Sequence, residues 1–506
     1  GLSGPFLNVY PLDLNATEAQ QTTISSLRSI PASLKILFGF LSDTTPLFHY
    51  RRKSYMFLGW LIASVSMMIL LFYSDLNLDQ QQQGGDDGDG VVVGGGGRPP
   101  SIPFLGSCVF LFAMGFWFAD VMADSVVAEK AKLEPESSRG QLQSTCYACR
   151  FFGLMIASPL STVLYSTSGP DCIVRIMAFL PLCMLPLVYY LKELRVNNAD
   201  AGSFCSGSDD DDDDELIVLA TTKITQPFDN NYMNDTTMNV KSAKEQCHEI
   251  WTTVCSRAVW QPMIFVYIYN LLQVGNAAWR EYLKSVLHFT STQLNALLIM
   301  AYILLYLGVI TYKYFLLTWS WRTVYVLVIL LNGVFSALQL CLITGYTFGL
   351  SPFVFALGDD AFGDFLEGIQ FLPITIMMVH LCPSGSEGAS YAMFTTVSNS
   401  AINLSVAIST VMLGIWDVSK QTLISGDLSG MMKLTILTTM MQTSAVLFIK
   451  LMPNTKDDLA HLHKASYSGS KVGGFTFLAI VLLSILYSIV VAVLNIFKPG
   501  WSGESR

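Results

Sequence analysis

Long apolar stretches separated by short polar segments recur along most of this 506-residue sequence. A helix that crosses a hydrocarbon core about 30 Å thick needs roughly 20 predominantly apolar residues, so each such stretch predicts a transmembrane helix. Residues 474–497 contain no charged side chain, and residues 55–73, 102–119 and 325–346 are similarly apolar. A soluble protein would have to bury all of them, so the pattern favours a membrane protein.

The hydrophobic pattern predicts about thirteen helices, which are a core of twelve and one more at the end of the chain. The first apolar stretch spans only about 12 residues, and we interpret it as the end of a helix whose beginning is missing. The other predicted spans are residues 18–41, 55–73, 102–124, 140–166, 173–191, 258–275, 292–313, 321–346, 363–381, 388–415, 431–452 and 474–497.

Two low-complexity segments, residues 75–101 and 192–255, contain too few apolar side chains to fold. The second lies between six predicted helices and six more, so the sequence predicts an all-α membrane protein with two similar halves. The predicted organisation is an N-terminal six-helix bundle in 1–191 (first helix truncated), an acidic disordered cytoplasmic linker in 192–257, a C-terminal six-helix bundle in 258–452, and a linker with an additional C-terminal transmembrane helix in 453–506. The six aspartates from Asp209 to Asp214 are candidate Ca²⁺ ligands, although a solvated linker is the simpler interpretation.

The composition agrees with a membrane protein, since 52% of residues are hydrophobic and 13% are charged, against about 25% charged in soluble domains. The formal charge of −9 comes largely from the two low-complexity segments. Lys and Arg are scattered, so the basic footprint of a nucleic-acid-binding protein is absent. Cys146 and Cys149 form a C-x-x-C within a helical pattern, which favours one helix face over redox chemistry. The sequence predicts no metal site and no cofactor.

The distribution of Lys and Arg between the predicted spans indicates the orientation. Alternate loops are rich in basic residues, among them Arg51, Arg52, Lys53, Lys130, Lys132, Arg139, Lys192, Arg195, Lys313, Arg322, Lys456 and Lys464. These loops are predicted to be cytoplasmic. The same orientation places the glycosylation sequon Asn15-Ala16-Thr17 outside.

Charged side chains inside spans are costly in lipid and usually face a bundle interior or a water-filled cavity. In the first half they and their polar neighbours share helix faces: Arg28 and Lys35; Trp117, Asp120 and Asp124; Gln143, Tyr147 and Arg150. In the second half the candidate cavity residues are polar but neutral: Asn270, Gln273, Thr396, Asn399 and Asn403. We predict that the solute-binding residues are Arg28, Lys35, Trp117, Asp120, Asp124, Gln143, Tyr147, Arg150, Asn270 and Asn399.

These groups have other interpretations. Arg150 and Asp120 or Asp124 would also suit ion pairs that only hold helices together, or pairs that exchange partners between conformations. Asp120, Asp124 and Glu129 are candidates for proton relay. Asp43, Arg51 and Arg52, after the second predicted span, are candidates for gating, because an acid there can engage cations or the N-terminus of a neighbouring helix.

The segment Gly39-Phe-Leu-Ser-Asp43 and the triplet Arg51-Arg52-Lys53 resemble the loop motif of the major facilitator superfamily. The longer pattern from Pro31 to Tyr55 is similar to the folate-biopterin transporter family within that superfamily. Three further stretches agree with it: Asp120-Val-x-x-Asp124-x-x-Val-x-Glu129; Gly140-x-Leu-Gln143-Ser144-x-Cys146-x-x-x-Arg150-x-x-Gly153; and Pro383-x-Gly-x-Glu387 with Asn399 downstream. Ala32, Ile36 and Tyr147 stand where the family often has Trp, Pro and Trp.

The resemblance implies a major-facilitator-type carrier in which two six-helix bundles rock around a central solute site. It also implies transport of folate, biopterin or a related pterin, as a symporter if protons drive it. We expect the solute and the lipid bilayer as partners, no nucleic acid, a monomeric protein, and a location in the plasma membrane or an organelle (plastid) envelope.

Three alternatives remain at this point. A carrier of another small organic solute, such as an amino acid, a nucleoside derivative or a sugar, would have the same architecture. A receptor without transport activity would also have it. A membrane enzyme is disfavoured, because no H-E-x-x-H or G-x-S-x-G motif is present.

Overall fold

The structure is a computed structural model, and it describes residues 2–14, 24, 27–74, 99–131, 134, 141–193, 242–382, 386–455, 458 and 470–497. The sequon at Asn15, the aspartate run from Asp209 to Asp214, and Pro383 in one of the family-like stretches lie outside the described residues.

The described chain is helical almost throughout. Its α-helices are α1 (Ser3–Asp13), α2 (Lys35–Thr44), α3 (Lys53–Tyr73), α4 (Ile102–Ala131), α5 (141–168), α6 (170–190), α7 (Ala243–Cys255), α8 (Arg257–Leu272), α9 (Trp279–Ser285), α10 (Ser291–Thr311), α11 (Trp321–Ile343), α12 (Pro352–Leu381), α13 (Glu387–Met412), α14 (Lys420–Ile424), α15 (Ser429–Ser444) and α16 (Lys471–Phe497). Within the described residues, eight helical segments are long and apolar enough to cross a bilayer.

Helices α5 and α6 form one helical run, Gln141–Tyr190, that is joined at Gly169. The backbone there has φ 76°, in the left-handed region that a residue without Cβ adopts at no steric cost. Pro170 follows and begins the next helix, which is where proline's fixed φ is tolerated. The two spans that the sequence predicts for this stretch are therefore both present, with a single glycine at the junction.

The second predicted span is interrupted. Residues Ile30–Leu34 form a 3₁₀ turn that contains Pro31, and the regular helix α2 begins only at Lys35. Proline lacks a backbone N–H and clashes with the preceding turn, which accounts for the break at this point. The irregular turn leaves backbone carbonyls available to partners on other helices.

The predicted start of one span is wrong. The sequence pattern places it at residue 363, whereas α12 begins at Pro352 with the Ser351 side chain accepting a hydrogen bond from the Val354 N–H. The acidic, glycine-containing segment 358–362 falls before the predicted span, but it lies inside a helix of 30 residues. Serine followed by proline is an N-terminal signal that correctly marks the start.

The linker prediction is also wrong in its last part. Residues Ala243–Cys255 form helix α7, which opens with a capping box between Ser242 and Glu245. Its apolar residues pack against α16 and α8, so tertiary contacts supply the burial that the polar segment lacks by itself.

The two predicted halves contact each other mainly through α2 with α13 and α5 with α10. Gly39 on α2 permits the first contact, because a Cβ at this position would lie 2.6 Å from the Gly388 carbonyl oxygen. Helix α16 packs on the outer side of α13 and α8, where the Tyr267 and Ser484 hydroxyls form a hydrogen bond of 2.5 Å.

Candidate functional site

The centre of the first half contains a four-membered ionic cluster on α2, α4 and α5. Lys35 Nζ lies 2.8 Å from Asp120 Oδ2 and 3.6 Å from Asp124 Oδ2. The Arg150 guanidinium binds the other oxygen of Asp120 at 2.9 Å. The two cations thus balance the two carboxylates, and Asp120 bridges them.

The cluster is largely shielded from solvent in this conformation. The Lys35 side chain is 5% exposed and that of Asp120 is 11% exposed, whereas Arg150 retains 33%. Arg150 is therefore the most accessible member of the cluster. Lys35 and Asp120 are available to a solute only if their mutual contacts exchange, which corresponds to the pairing alternative raised from the sequence.

Two aromatic side chains flank the cluster. Lys35 Nζ sits 4.5 Å from the centroid of the Trp117 ring, and the Arg150 guanidinium carbon lies 5.9 Å from that of Tyr147. Both are cation–π distances. The Trp117 indole N–H also donates to the Arg28 carbonyl oxygen at 3.0 Å, so it fixes the irregular start of the second span against α4.

Arg28 forms no ion pair with the cluster residues among those described, and its side chain contacts α1 instead. Its Nη1 donates to the Ser3 hydroxyl of α1 at 3.2 Å. A Cβ placed on Gly4 would be 3.5 Å from Arg28 Nη1 and 3.8 Å from the hydroxyl of Tyr302 on α10. Arg28 therefore reaches the boundary between the two halves.

A small hydrogen-bonded group joins the halves next to the cluster. The Gln143 side-chain amide donates to the Tyr391 hydroxyl at 3.0 Å, and the Tyr147 hydroxyl lies 3.0 Å from the same atom. All three side chains are buried. Gln143 and Tyr147 thus contact α13 directly, and Tyr391 is a partner that the sequence analysis did not identify.

The two asparagines predicted to bind solute occupy different positions. Asn399 donates to the Ala32 carbonyl oxygen at 3.2 Å, which satisfies one of the carbonyls left free by the 3₁₀ turn. Asn270 donates to the Ser398 hydroxyl at 2.9 Å and also lines a cavity within the second half. The structure thus places Asn399 at the contact between halves and Asn270 at a separate cavity.

The predicted gating residue Asp43 lies at the predicted cytoplasmic ends of the helices. Its Oδ1 binds Arg51 Nη2 at 2.8 Å, with Arg52 Nη2 at 3.5 Å. Its Oδ2 accepts the Ala389 N–H at 2.7 Å, in the first turn of α13. A carboxylate at this place compensates the unpaired N–H groups and the positive end of the helix dipole.

Arg52 connects the same group to α4. It is fully buried, and its Nη1 donates to the Ser125 carbonyl oxygen at 2.9 Å and to Glu129 at 2.5 Å. Glu387 at the start of α13 lies 4.0 Å from the other nitrogen. The carboxyl group of Glu193 accepts the backbone N–H groups of Arg51, Arg52 and Lys53, which caps α3. The predicted cytoplasmic ends of α2, α3, α4 and α13 are thereby held together.

The expectation of only neutral cavity residues in the second half is wrong. Asp364 and Glu367 lie in the middle of α12 and line the same cavity as Asn270. Sequence analysis missed them because it assigned the preceding acidic segment to a loop, which moved both residues to the edge of a span. Among the residues that the structure describes, no group of His, Cys, Asp and Glu has a metal-binding arrangement.

The sequence matches one protein family over most of its length. The match to the BT1 family covers residues 6–81 and 96–468. The folate-biopterin transporter of Synechocystis sp. is 22% identical over 402 residues, which are 79% of this chain and 69% of that protein. Probable folate-biopterin transporter 6 of Arabidopsis thaliana is 20% identical over 73% of this chain and 63% of its own length. Folate transporter 1 of Plasmodium falciparum is 21% identical, with 76% and 63% covered.

Solved structures of membrane transporters have a similar fold. A D-xylose-proton symporter superimposes with a TM-score of 0.53 at 15% identity, over 90% of this chain and 94% of the symporter. A bacterial homologue of the iron transporter ferroportin, in an outward-facing state, gives 0.51 at 11% identity, over 89% and 98%. The chain is thus a multi-pass, all-helical membrane protein with a major-facilitator-like fold.

Proposed function

This chain belongs to the BT1 family, and from that membership we propose that it carries folate, biopterin or a related pterin across a membrane by alternating access. The family is one of transporters rather than enzymes. The solute class follows from what the relatives are named for, namely folate and folate-biopterin transport.

The observation that carries the proposal is the place of the ionic cluster. Lys35, Asp120 and Arg150 lie inside membrane spans, and α2, which carries Lys35, is also the helix that packs along α13 of the other half. Charges at this depth are costly and rare, and they commonly mark a solute or ion pathway. A cluster that adjoins the contact between two halves of a carrier is suited to such a pathway, since relative movement of the halves would expose it.

The contacts at the predicted cytoplasmic ends of the helices are suited to control which side of the carrier is open. Asp43 holds α13 through the Ala389 N–H, and Arg52 holds α4 through Glu129. Opening towards this side has to separate Asp43 from α13. We therefore assign Asp43, Arg51, Arg52 and Glu129 to a latch that keeps the cytoplasmic side closed until the solute has bound, and each transport cycle breaks and re-forms it.

The charges of the site suit an anionic solute with an aromatic ring. Folate carboxylates would meet Arg150, the most exposed cation of the cluster, and Arg28 or Lys35 as the cluster rearranges. The pterin ring would stack on Trp117 or Tyr147, which already face cations at the site. Gln143 and Asn399 would then change partners as the halves move.

Proton coupling belongs to the same proposal. Asp120 pairs with two cations, Lys35 at 2.8 Å and Arg150 at 2.9 Å. Asp124 pairs with Lys35 at the longer distance of 3.6 Å. A proton taken up by Asp124 would leave the cluster with a net positive charge, which a solute carboxylate would then balance. Asp124 is thus the better placed of the two aspartates to link protonation to binding.

The proposal is tested by uptake of labelled folate and biopterin into proteoliposomes that contain the full-length protein. Amino acids, nucleosides and sugars serve as competitors, and each assay is run with and without an inward proton gradient. Saturable pterin uptake that Lys35→Met abolishes supports the proposal. Lys433→Met, which removes an exposed lysine on α15, is the matched control and should transport normally. Pterin binding without flux indicates a receptor, and flux of a competitor alone indicates a different solute; either result contradicts the proposal.

A further inference from the structure

A second polar space lies inside the second half, away from the Lys35 cluster. It is a cavity of about 390 Å³ between α8, α11, α12, α13 and α15, and this volume is within the range of about 300–1,000 Å³ that small-molecule sites occupy. Its walls carry an unusual density of side-chain amides: Asn270, Gln273, Asn276, Asn332, Gln339 and Gln442. Amide groups donate and accept hydrogen bonds, so the lining suits a polar heterocycle.

Hydrogen bonds to the protein hold several of these amides in fixed orientations, so the cavity is pre-organised for binding. Asn276 donates to the Thr435 hydroxyl at 2.9 Å, Asn332 donates to Gln273 at 3.3 Å, and Gln442 donates to the Val274 carbonyl oxygen at 3.0 Å. Each bond uses only part of the hydrogen-bonding capacity of its amide. The remaining capacity is available to a bound molecule.

Glu367 is the charged member of this lining. It stands 15 residues after the first residue of α12, which places it about 22 Å along the helix at 1.5 Å per residue and so near the middle of the membrane. Its side chain is nevertheless exposed, because it faces the cavity. It makes no hydrogen bond or ion pair with any residue in the described part of the chain.

The lack of a cationic partner among the described residues distinguishes Glu367 from every carboxylate in the ionic cluster and the latch. Asp43, Asp120, Asp124 and Glu129 each have a cationic partner within 4 Å. An ionised carboxylate at mid-membrane depth without a cation is costly. Glu367 therefore has the properties expected of a carboxylate that binds a transient ligand.

Arg28 is the cation of the first half that lies at the boundary with the second half. The Arg28 Nη1 atom and the hydroxyl of Tyr302 on α10 both lie within 4 Å of the position that a Cβ on Gly4 would take. The first half thus brings a positive group to the boundary, while the cavity of the second half carries Asp364 and Glu367. A solute that fits both must be dipolar, with an acidic end and a hydrogen-bond-donating end.

We propose that the Glu367 cavity binds the hydrogen-bond-donor edge of the solute, a planar ring in which a ring N–H stands beside an exocyclic NH₂ group. A carboxylate accepts such paired, parallel donors with both oxygens, as it does from a guanidinium. The surrounding amides complete the contacts to ring nitrogen and carbonyl atoms, while Arg28 holds the acidic end. The inference rests on the proposed transport of a pterin-type solute, and it assigns ring recognition to the second half in place of stacking on Trp117 or Tyr147 in the first half.

Binding of three probes to the full-length purified protein tests this assignment. Biopterin carries the donor edge without a carboxylate, p-aminobenzoylglutamate carries carboxylates without the pterin ring, and benzamidinium carries only paired N–H donors. We expect Glu367→Gln to weaken biopterin and benzamidinium binding at least about tenfold, equal to about 1.4 kcal/mol, and to leave p-aminobenzoylglutamate unaffected. Glu245→Gln on α7 is the matched control, because glutamine also serves at that capping-box position.

The outcomes separate this inference from the proposed function. Loss of all three probes alike, or of none, in Glu367→Gln overturns the assignment. If wild-type protein binds benzamidinium through Glu367 but no pterin, the cavity chemistry stands and the proposed function fails. Glu367→Asp, which keeps the charge and withdraws it by one methylene, should give a smaller loss; it replaces Glu367→Gln if that variant does not fold.

Discussion

Asp43 and Ala389 are 346 positions apart, yet the carboxylate of the first accepts the backbone N–H of the second at 2.7 Å. This bond joins the end of α2 to the start of α13 and so joins the two halves of the chain at one face of the membrane. The same carboxylate pairs with Arg51 at 2.8 Å. One side chain therefore couples a basic loop to a helix terminus in the other half.

Removing the charge of Asp43 should open the predicted cytoplasmic side. In Asp43→Asn the ion pair and the favourable charge at the helix N-terminus are lost, a cost of about 1–3 kcal/mol that shifts the balance between conformations by roughly 5- to 150-fold. A cysteine placed at Ser390, which is buried there, should react faster with a polar maleimide. Asp171→Asn, which breaks an exposed pair with Arg175, should leave the labelling rate unchanged, and an unchanged rate in Asp43→Asn would argue against the latch.

Adding a methyl group at Gly39 should force α2 and α13 apart. A Cβ there would lie 2.6 Å from the Gly388 carbonyl oxygen and 2.8 Å from the Ala392 Cβ. We expect Gly39→Ala to cost about 1–3 kcal/mol through overpacking, seen as a lower melting temperature and slower uptake. Gly153→Ala is the control, since no atom lies within 4 Å of its Cβ position. Equal melting temperatures for the two variants would show that the helices adjust freely.

Charge balance in the ionic cluster should govern its stability. Lys35→Met leaves two carboxylates facing Arg150 alone, and removal of one partner from a buried pair costs about 3–5 kcal/mol. The double variant Lys35→Met/Asp124→Asn retains the neutral Asp120–Arg150 pair at 2.9 Å. Its melting temperature should therefore lie above that of Lys35→Met. Additive effects of the two substitutions in a double-mutant cycle would contradict the coupling.

Asp124 should determine the response to a proton gradient. If protonation of Asp124 gives the cluster a net positive charge that favours a solute carboxylate, an acidic exterior accelerates uptake by the wild-type protein. In Asp124→Asn the side chain at this position is permanently uncharged, so uptake should continue while its dependence on the gradient disappears. Asp427→Asn, in an exposed loop, should keep the wild-type dependence. A normal gradient response in Asp124→Asn would exclude this residue from coupling.

Some features of the site could be derived from local sequence alone. Arg28, Lys35, Asp120 and Arg150 stand out because each is a charge within an apolar span, and their spacing places them on single helix faces. The family-like pattern around Asp43 gave the latch residues on the first half. Neither pattern identifies Tyr391 or Ala389 as partners, because those contacts join residues more than 240 positions apart.

The sequence by itself determined that the chain is a multi-span helical membrane protein, since a bilayer imposes one length and one polarity on every segment that crosses it. It also determined which residues carry unusual charge. Tertiary packing decided which charges pair, that Asn399 binds the Ala32 carbonyl oxygen at the break in the second span, and that α7 forms. It also decided that Glu367 lies in the middle of a helix and faces a cavity, whereas the sequence pattern places it near the edge of a span. The reason is that α12 extends eleven residues before the predicted span and that neighbouring helices provide the polar lining. Hydrophobicity acts residue by residue, whereas pairing and cavities depend on helices that are distant in the chain and close in space.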